Sequence, residues 1–151
     1  MEVFRISIEK HSSVLTTSGK ENRWNKSGEM VLYFGSSRSL STLEMIVHRS
    51  SIKPSENYKV MIVSIADTDK LMQQIHLNDL PSNWRTLSAY SSSQEMGSKW
   101  YNSQRSLILK VPSAIIVNEY NYIINVEHPD FKNCVSLVRV EDYFWDDRLF
   151  K

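Results

Sequence analysis

Apolar and polar positions alternate at the start of the chain. Val3, Phe4, Ile6 and Ile8 predict a first strand, with one break in the alternation. Positions 11–22 are polar and rich in serine and threonine, which reads as a loop closed by Arg23-Trp24-Asn25. A turn at 26–29 leads into Met30-Val31-Leu32-Tyr33-Phe34, a buried strand ended by Gly35. Ser36-Ser37 then opens a helix that runs to about Arg49, with Leu40, Leu43, Met45, Ile46 and Val47 on one broad apolar face. A connection containing Pro54 precedes a strand over 58–65, which is rich in β-branched residues. Asp67-Thr68-Asp69 reads as a helix start, with Leu71, Met72 and Ile75 at helical spacing.

The second half is more broken. Positions 80–85 form a loop, and a short helix is predicted over 94–101 with Gly97 as its weak spot. A strand over 106–111 is interrupted at Pro112-Ser113, and 114–117 continues it or forms another. Tyr122-Ile123-Ile124-Asn125 is a short apolar segment, 127–130 a turn, and 135–140 the last strand. The end of the chain, with Tyr143, Phe144, Trp145 and Phe150, is aromatic enough to pack on the body. Many strands with few helices, outside any βαβ alternation, define an α+β fold in a single domain over residues 1–151.

Composition narrows the function classes. The 151 residues carry 41% hydrophobic and 23% charged positions, those of a globular chain with a real core. A net charge of +1 offers no broad field for nucleic acid or anionic membrane. No run reaches the roughly 20 apolar residues that span a bilayer. The segment from Met1 to Arg5 lacks the apolar core of a leader, and the lone Cys134 allows no internal disulfide, so a cytoplasmic location is expected. Four glycines form neither phosphate-binding pattern. His11, His48, His76 and His128 are scattered without metal-ligand spacing, so no metal is expected.

Four residues carry candidate chemistry, and each also has an ordinary structural reading. Arg23, beside Trp24, is a solvated guanidinium over an indole, or a fork that clamps phosphate oxygens. Glu44 follows Ser41 at capping-box spacing. A helix that begins near Ser37 or Ser39 would instead put Glu44 beyond the first turn, within an apolar segment and free to face a cleft. Tyr33 is a core aromatic or a face for a planar ring. Ser113 is an edge or bulge residue, and no G-x-S-x-G elbow surrounds it to make an acyl-transfer nucleophile.

Taken in order, several motifs resemble the RES domain. They are RWN-x-x-G, the strand VLYF, S-x-x-x-LE-x-x-VH, L-x-VPSA, N-Y-x-I-N-x-x-HPDF and the terminal D-D-R-L, spanning Arg5 to Leu149. The resemblance implies an ADP-ribosyltransferase-like body, with two small β-sheets and flanking helices around an NAD cleft. It implies the toxin half of a pair with an Xre-type antitoxin. NAD+ is then a substrate, cleaved at the nicotinamide–ribose bond by water or inorganic phosphate, and some relatives modify a protein instead. A catalytically inactive partner-binding domain is the non-enzymatic alternative. The family's active-site residues fall on Arg23, Tyr33, Glu44 and Ser113. Trp24 and Asn125 join them as NAD contacts, while His128 and Arg148 match family positions that support the cleft. Glu21-Asn22 stands where the family commonly has glycines, which stiffens the loop before Arg23.

Overall fold

The computed structural model describes residues 1–50, 53–66 and 69–150. Its strands are β1 (Glu2–Ile8), β2 (Val31–Gly35), β3 (Tyr58–Ile65), β4 (Met72–Gln74), β5 (Ile108–Pro112), β6 (Tyr120–Asn125) and β7 (Val135–Tyr143). The helices are α1 (Arg38–His48), α2 (Tyr90–Ser103) and the single turn α3 (Phe131–Cys134). This is the α+β class that the pattern predicts. One seven-stranded sheet, in the order β4-β5-β6-β2-β1-β3-β7, replaces the expected pair of small sheets. The correction rests on one contact. β1 meets β2 only where Phe4 lies opposite Gly35, whereas β1 pairs with β3 from Glu2–Ser64 to Ile8–Tyr58. The sheet is thus two well-paired halves joined at one position.

Side-chain alternation gives each face its own core. Leu32 and Phe34 of β2 join Val3, Val63, Ile108 and Ile124 on one face. Val31 and Tyr33 turn to the other face, where Leu109, Val111 and Ile123 pack beneath Trp24, Trp84 and Trp100. On that same face, across the junction, Ile6, Val60 and Ile62 pack with Met45 and Ile46 of α1 and with Trp145. The aromatic tail does pack on the body, with Trp145 edge-on to Tyr58, Tyr143 and Phe150. Phe144 of that tail is exposed.

Three predicted elements differ. Of the helix expected after Asp67-Thr68-Asp69, the first two residues lie outside the described residues. Asp69–Leu71 is a single 3-10 turn, and Met72–Gln74 is β4, parallel to β5. Met72 and Ile75 pack in different cores, on opposite sides, as a strand requires of an odd spacing and a helix does not. Positions 114–117 form turns rather than strand, and α2 begins earlier than predicted, at Tyr90.

Glycines fix where both long helices sit. A Cβ on Gly35 would meet the Ser41 hydroxyl and backbone of α1, and one on Gly97 would fall on the carbonyl of Trp24. Gly97 therefore weakens α2 as an isolated helix but allows it to touch the Arg23-Trp24 turn. Gly97→Ala should lower the urea midpoint by a stability loss of about 1–3 kcal/mol or more, despite alanine's better helix propensity. A rise in stability would mean that this contact is loose.

Candidate active site

The junction opens into a cleft of about 540 Å3, within the usual range of roughly 300–1,000 Å3 for small-molecule sites. Three consecutive residues from each strand line it: Phe4, Arg5 and Ile6 of β1, and Tyr33, Phe34 and Gly35 of β2. An intact sheet shows alternate residues to one side. Here the strands part beyond Phe4–Gly35, so the cleft reaches into the sheet itself.

One wall is a tight turn. Asn22 and Asn25 exchange backbone hydrogen bonds of 3.1 and 3.3 Å, which places Arg23 and Trp24 at the tip. Its residues are tied to the body from several sides. Arg23 Nη1 donates to the Trp84 carbonyl at 2.8 Å and Nη2 to that of Arg85 at 3.2 Å, and the guanidinium lies 4.7 Å from the Tyr90 ring centroid. Two of its five donors are consumed, and three remain for a ligand. The Tyr33 hydroxyl accepts from the Trp24 amide at 3.0 Å and donates to Asn25 Oδ1 at 2.7 Å. Gln94 of α2 donates to the Asn22 carbonyl at 3.0 Å.

The opposite wall is α1. Ser37 is its N-cap, accepting from the Leu40 amide at 3.0 Å. Glu44 therefore lies well past the first turn, and the capping box with Ser41 does not form. Ser41 Oγ instead lies 2.9 Å from the carbonyls of both Phe4 and Ser37. Glu44 Oε1 accepts from Ser113 Oγ at 2.9 Å and from Asn121 Nδ2 at 2.6 Å. Among the described residues Oε2 has no hydrogen-bond partner, and Glu44 lines the cleft. A carboxylate held by one oxygen, with the other free, can accept a hydroxyl proton or face a developing cation.

The structure thus brings Arg23, Trp24, Tyr33 and Glu44 to one cleft, and Ser113 to its edge. Ser113 has no exposed surface. Its hydroxyl donates to Glu44 and accepts from the amides of Ile115 and Ile116, each at 3.1 Å. Its geometry is that of a residue that positions Glu44. Trp24 is only 3% exposed. Asn125 needs correction as an NAD contact: it is wholly buried at the far end of β6, where Oδ1 accepts from the Glu127 amide. His128 and Arg148 also lie outside the cleft lining, bonded to Gln104 and Asp146. Asn121, Tyr90 and Arg5 also line the cleft, beyond the residues that the motifs indicate. A β5–β6 hairpin would have indicated Asn121, because its register sets Val111 opposite Asn121 beside Ser113. Among the described residues no group of three or more His, Cys, Asp or Glu could hold a metal, and no helix is long and apolar enough to cross a membrane.

The structure is thus an α+β body with a cleft at a parted strand pair and a carboxylate held in its wall. The family model for the RES domain matches residues 2–146, and the chain belongs to that family. It is 32% identical over 153 aligned positions to the protein named Toxin Res of Yersinia enterocolitica, covering 99% of each chain. It is 35% identical to the Prs ADP-ribosylating toxin of Sphingobium sp. strain YBL2, over 85% of this chain and 80% of that protein. In fold it is similar to a chain in the crystal structure of the M. tuberculosis MbcT–MbcA toxin–antitoxin complex. That match has a TM-score of 0.73 at 14% identity and covers 94% of this chain and 83% of that one.

Burial pushes the Tyr33 phenol above its ordinary value of 10.0, and the neighbouring Glu29 and Tyr90 add to this against the opposing Trp24 amide and Arg23. The unfolded chain then releases this proton first. Stability is unaffected below about pH 10 and falls as pH rises beyond it, by up to about 1.4 kcal/mol per pH unit for this one proton. Tyr33→Phe should show a shallower fall in stability above about pH 10, followed by denaturant unfolding across pH. A slope equal to the wild type would mean that Tyr33 titrates alike in both states.

Proposed function

We propose that the cleft binds NAD+ and cleaves its nicotinamide–ribose bond, and that the chain is the toxin of a toxin–antitoxin pair. The observation that carries the reading is the Glu44 carboxylate of the cleft lining, held at Oε1 by Ser113 and Asn121 with no hydrogen-bond partner on Oε2 among the described residues. Family membership and the names of the relatives support the toxin role and chemistry on an ADP-ribosyl donor.

Nicotinamide leaves as a neutral ring. The electron pair of the C–N bond cancels its pyridinium charge, so no general acid is needed. The barrier is the oxocarbenium-like ribose left behind. Glu44 Oε2 accepts a hydrogen bond from a ribose hydroxyl and sets negative charge beside that cation. Ser113 and Asn121 fix the carboxylate before the reaction, which removes the cost of reorienting it. The Tyr33 ring, its hydroxyl tied to the 22–25 turn, offers a face for nicotinamide. Arg23 presents its remaining donors to the dinucleotide. Water at C1 of the ribose then gives ADP-ribose and a proton. Inorganic phosphate gives the 1-phosphate ester. A protein acceptor at the same carbon is the transferase reading, favoured by the name of the Sphingobium relative.

The test is consumption of NAD+ by the purified chain, with and without phosphate, followed by release of nicotinamide. Glu44→Gln should lower kcat by about 10²-fold or more. Ser113→Ala and Asn121→Ala should each lower kcat by a smaller factor, since each removes one support of the same carboxylate. If Glu44→Gln consumed NAD+ at the wild-type rate, the reading would be wrong. Labelled NAD+ that marks protein instead of yielding free product would favour the transferase.

A further inference from the structure

Helix α2 follows the segment 22–30 along one face. Gln94 donates to the Asn22 carbonyl at 3.0 Å, and Gly97 lies against the Trp24 carbonyl. Ser98 donates to Glu29 Oε1, and the Tyr101 hydroxyl accepts from the Met30 amide at 3.2 Å. Positions 94, 97, 98 and 101 share one side of a helix. Of these contacting groups only Glu29 is charged, and it is 8% exposed. Both of its oxygens are used, Oε1 by Ser98 and Oε2 by the Lys26 amide at 2.8 Å. The Glu29 amide donates in return to the Lys26 carbonyl at 3.2 Å, so backbone and side chain both close the 26–29 turn. Among the described residues no cation pairs with Glu29, and the Lys26 ammonium goes to Glu95 instead. Burying a carboxylate without a counterion is costly. An apolar residue would avoid that cost but leave the Lys26 amide and the Ser98 hydroxyl without their acceptor.

We infer that Glu29 is a positioning residue of the cleft, which locks the 22–25 turn to α2 so that Arg23 and Tyr33 meet the ligand in a fixed geometry. The route is short. Lys26 directly follows Asn25, whose Oδ1 accepts from the Tyr33 hydroxyl and whose backbone closes the turn against Asn22. Glu29 holds the Lys26 amide with one oxygen and α2 with the other. It lies outside the cleft lining, so it acts through the turn and not on the ligand. Glu44 stands on the opposite wall and shares none of these bonds. Resting on the proposed function, Glu29 then serves the binding of NAD+ and leaves the chemical step to Glu44.

Glu29→Met removes both acceptor oxygens at similar length, and Glu29→Gln restores one for the Lys26 amide. Hydrogen exchange on the ligand-free chain tests the positioning without any turnover. The amides of Trp24, Asn25 and Lys26 should exchange about 10-fold faster in Glu29→Met and close to the wild-type rate in Glu29→Gln. The amides of β3 should exchange alike in all three. In initial rates, Glu29→Met should raise KM for NAD+ about 10-fold with kcat kept within about threefold, and Glu29→Gln should recover most of the KM. If Glu29→Met does not fold, Ser98→Ala removes the α2 half of the lock and should move both readouts in the same direction by less. Wild-type exchange at 24–26 in the folded variant, or a fall in kcat with KM unchanged, overturns the inference. Exchange at the turn that depends on Glu29, in a chain that leaves NAD+ intact, would retain the positioning role and reject the NAD+ reading.

Discussion

The single pairing of Phe4 with Gly35 is the contact on which the rest of the structure depends. Two half-sheets, each well paired internally, meet at this one position. Ser41 secures it from α1 by lying 2.9 Å from the Phe4 carbonyl, and Gly35 lacks the Cβ that would push Ser41 away. A longer pairing would close the cleft, and none would let the halves part. One position of pairing leaves consecutive residues of both strands lining the cleft. Backbone groups that a ladder would satisfy are thereby left to water or to a ligand, a cost that folded chains accept at functional sites.

From that junction the roles of the polar residues divide. The 22–25 turn is made rigid by its own hydrogen bonds and by α2, and Tyr33 reports to the turn through its hydroxyl. α1 carries Glu44, and the β5–β6 hairpin carries the two groups that hold it. Arg23, Tyr33 and Glu44 are each held by hydrogen bonds to residues of other elements. Such support is what keeps a site within the tolerances that chemistry demands.

The elements near the site were largely legible from pattern. β2, α1 and β3 follow from apolar periodicity, and Ser37 as the true cap decides against the Ser41–Glu44 box. The β4 segment was not legible, because Leu71, Met72 and Ile75 fit helical spacing and only tertiary packing sends Met72 and Ile75 to opposite faces. Among site residues, Glu44 was ambiguous locally because capping and catalysis ask for the same residue at the same spacing. Asn125 and Asn121 stand on the same face of one strand, so no local signal separates the buried residue from the one at the cleft. Arg5 sits in an ordinary-looking strand, and nothing in its neighbours reveals that β1 loses its partner there.

The sequence separations within the site explain why it is hard to read locally. Glu44 meets Ser113 across 69 positions and Asn121 across 77, and Arg23 meets Trp84 across 61. None of these contacts exists in a segment short enough to fold alone. The first two bridge the half-sheets, α1 packing on the β1–β3–β7 side and the hairpin belonging to the other. Each closes a long loop, whose entropy the native contacts must offset. The same hydrogen bonds that orient Glu44 therefore also hold the halves at their working separation. Weakening them should both loosen the carboxylate and alter the width of the cleft, because one geometry sets both.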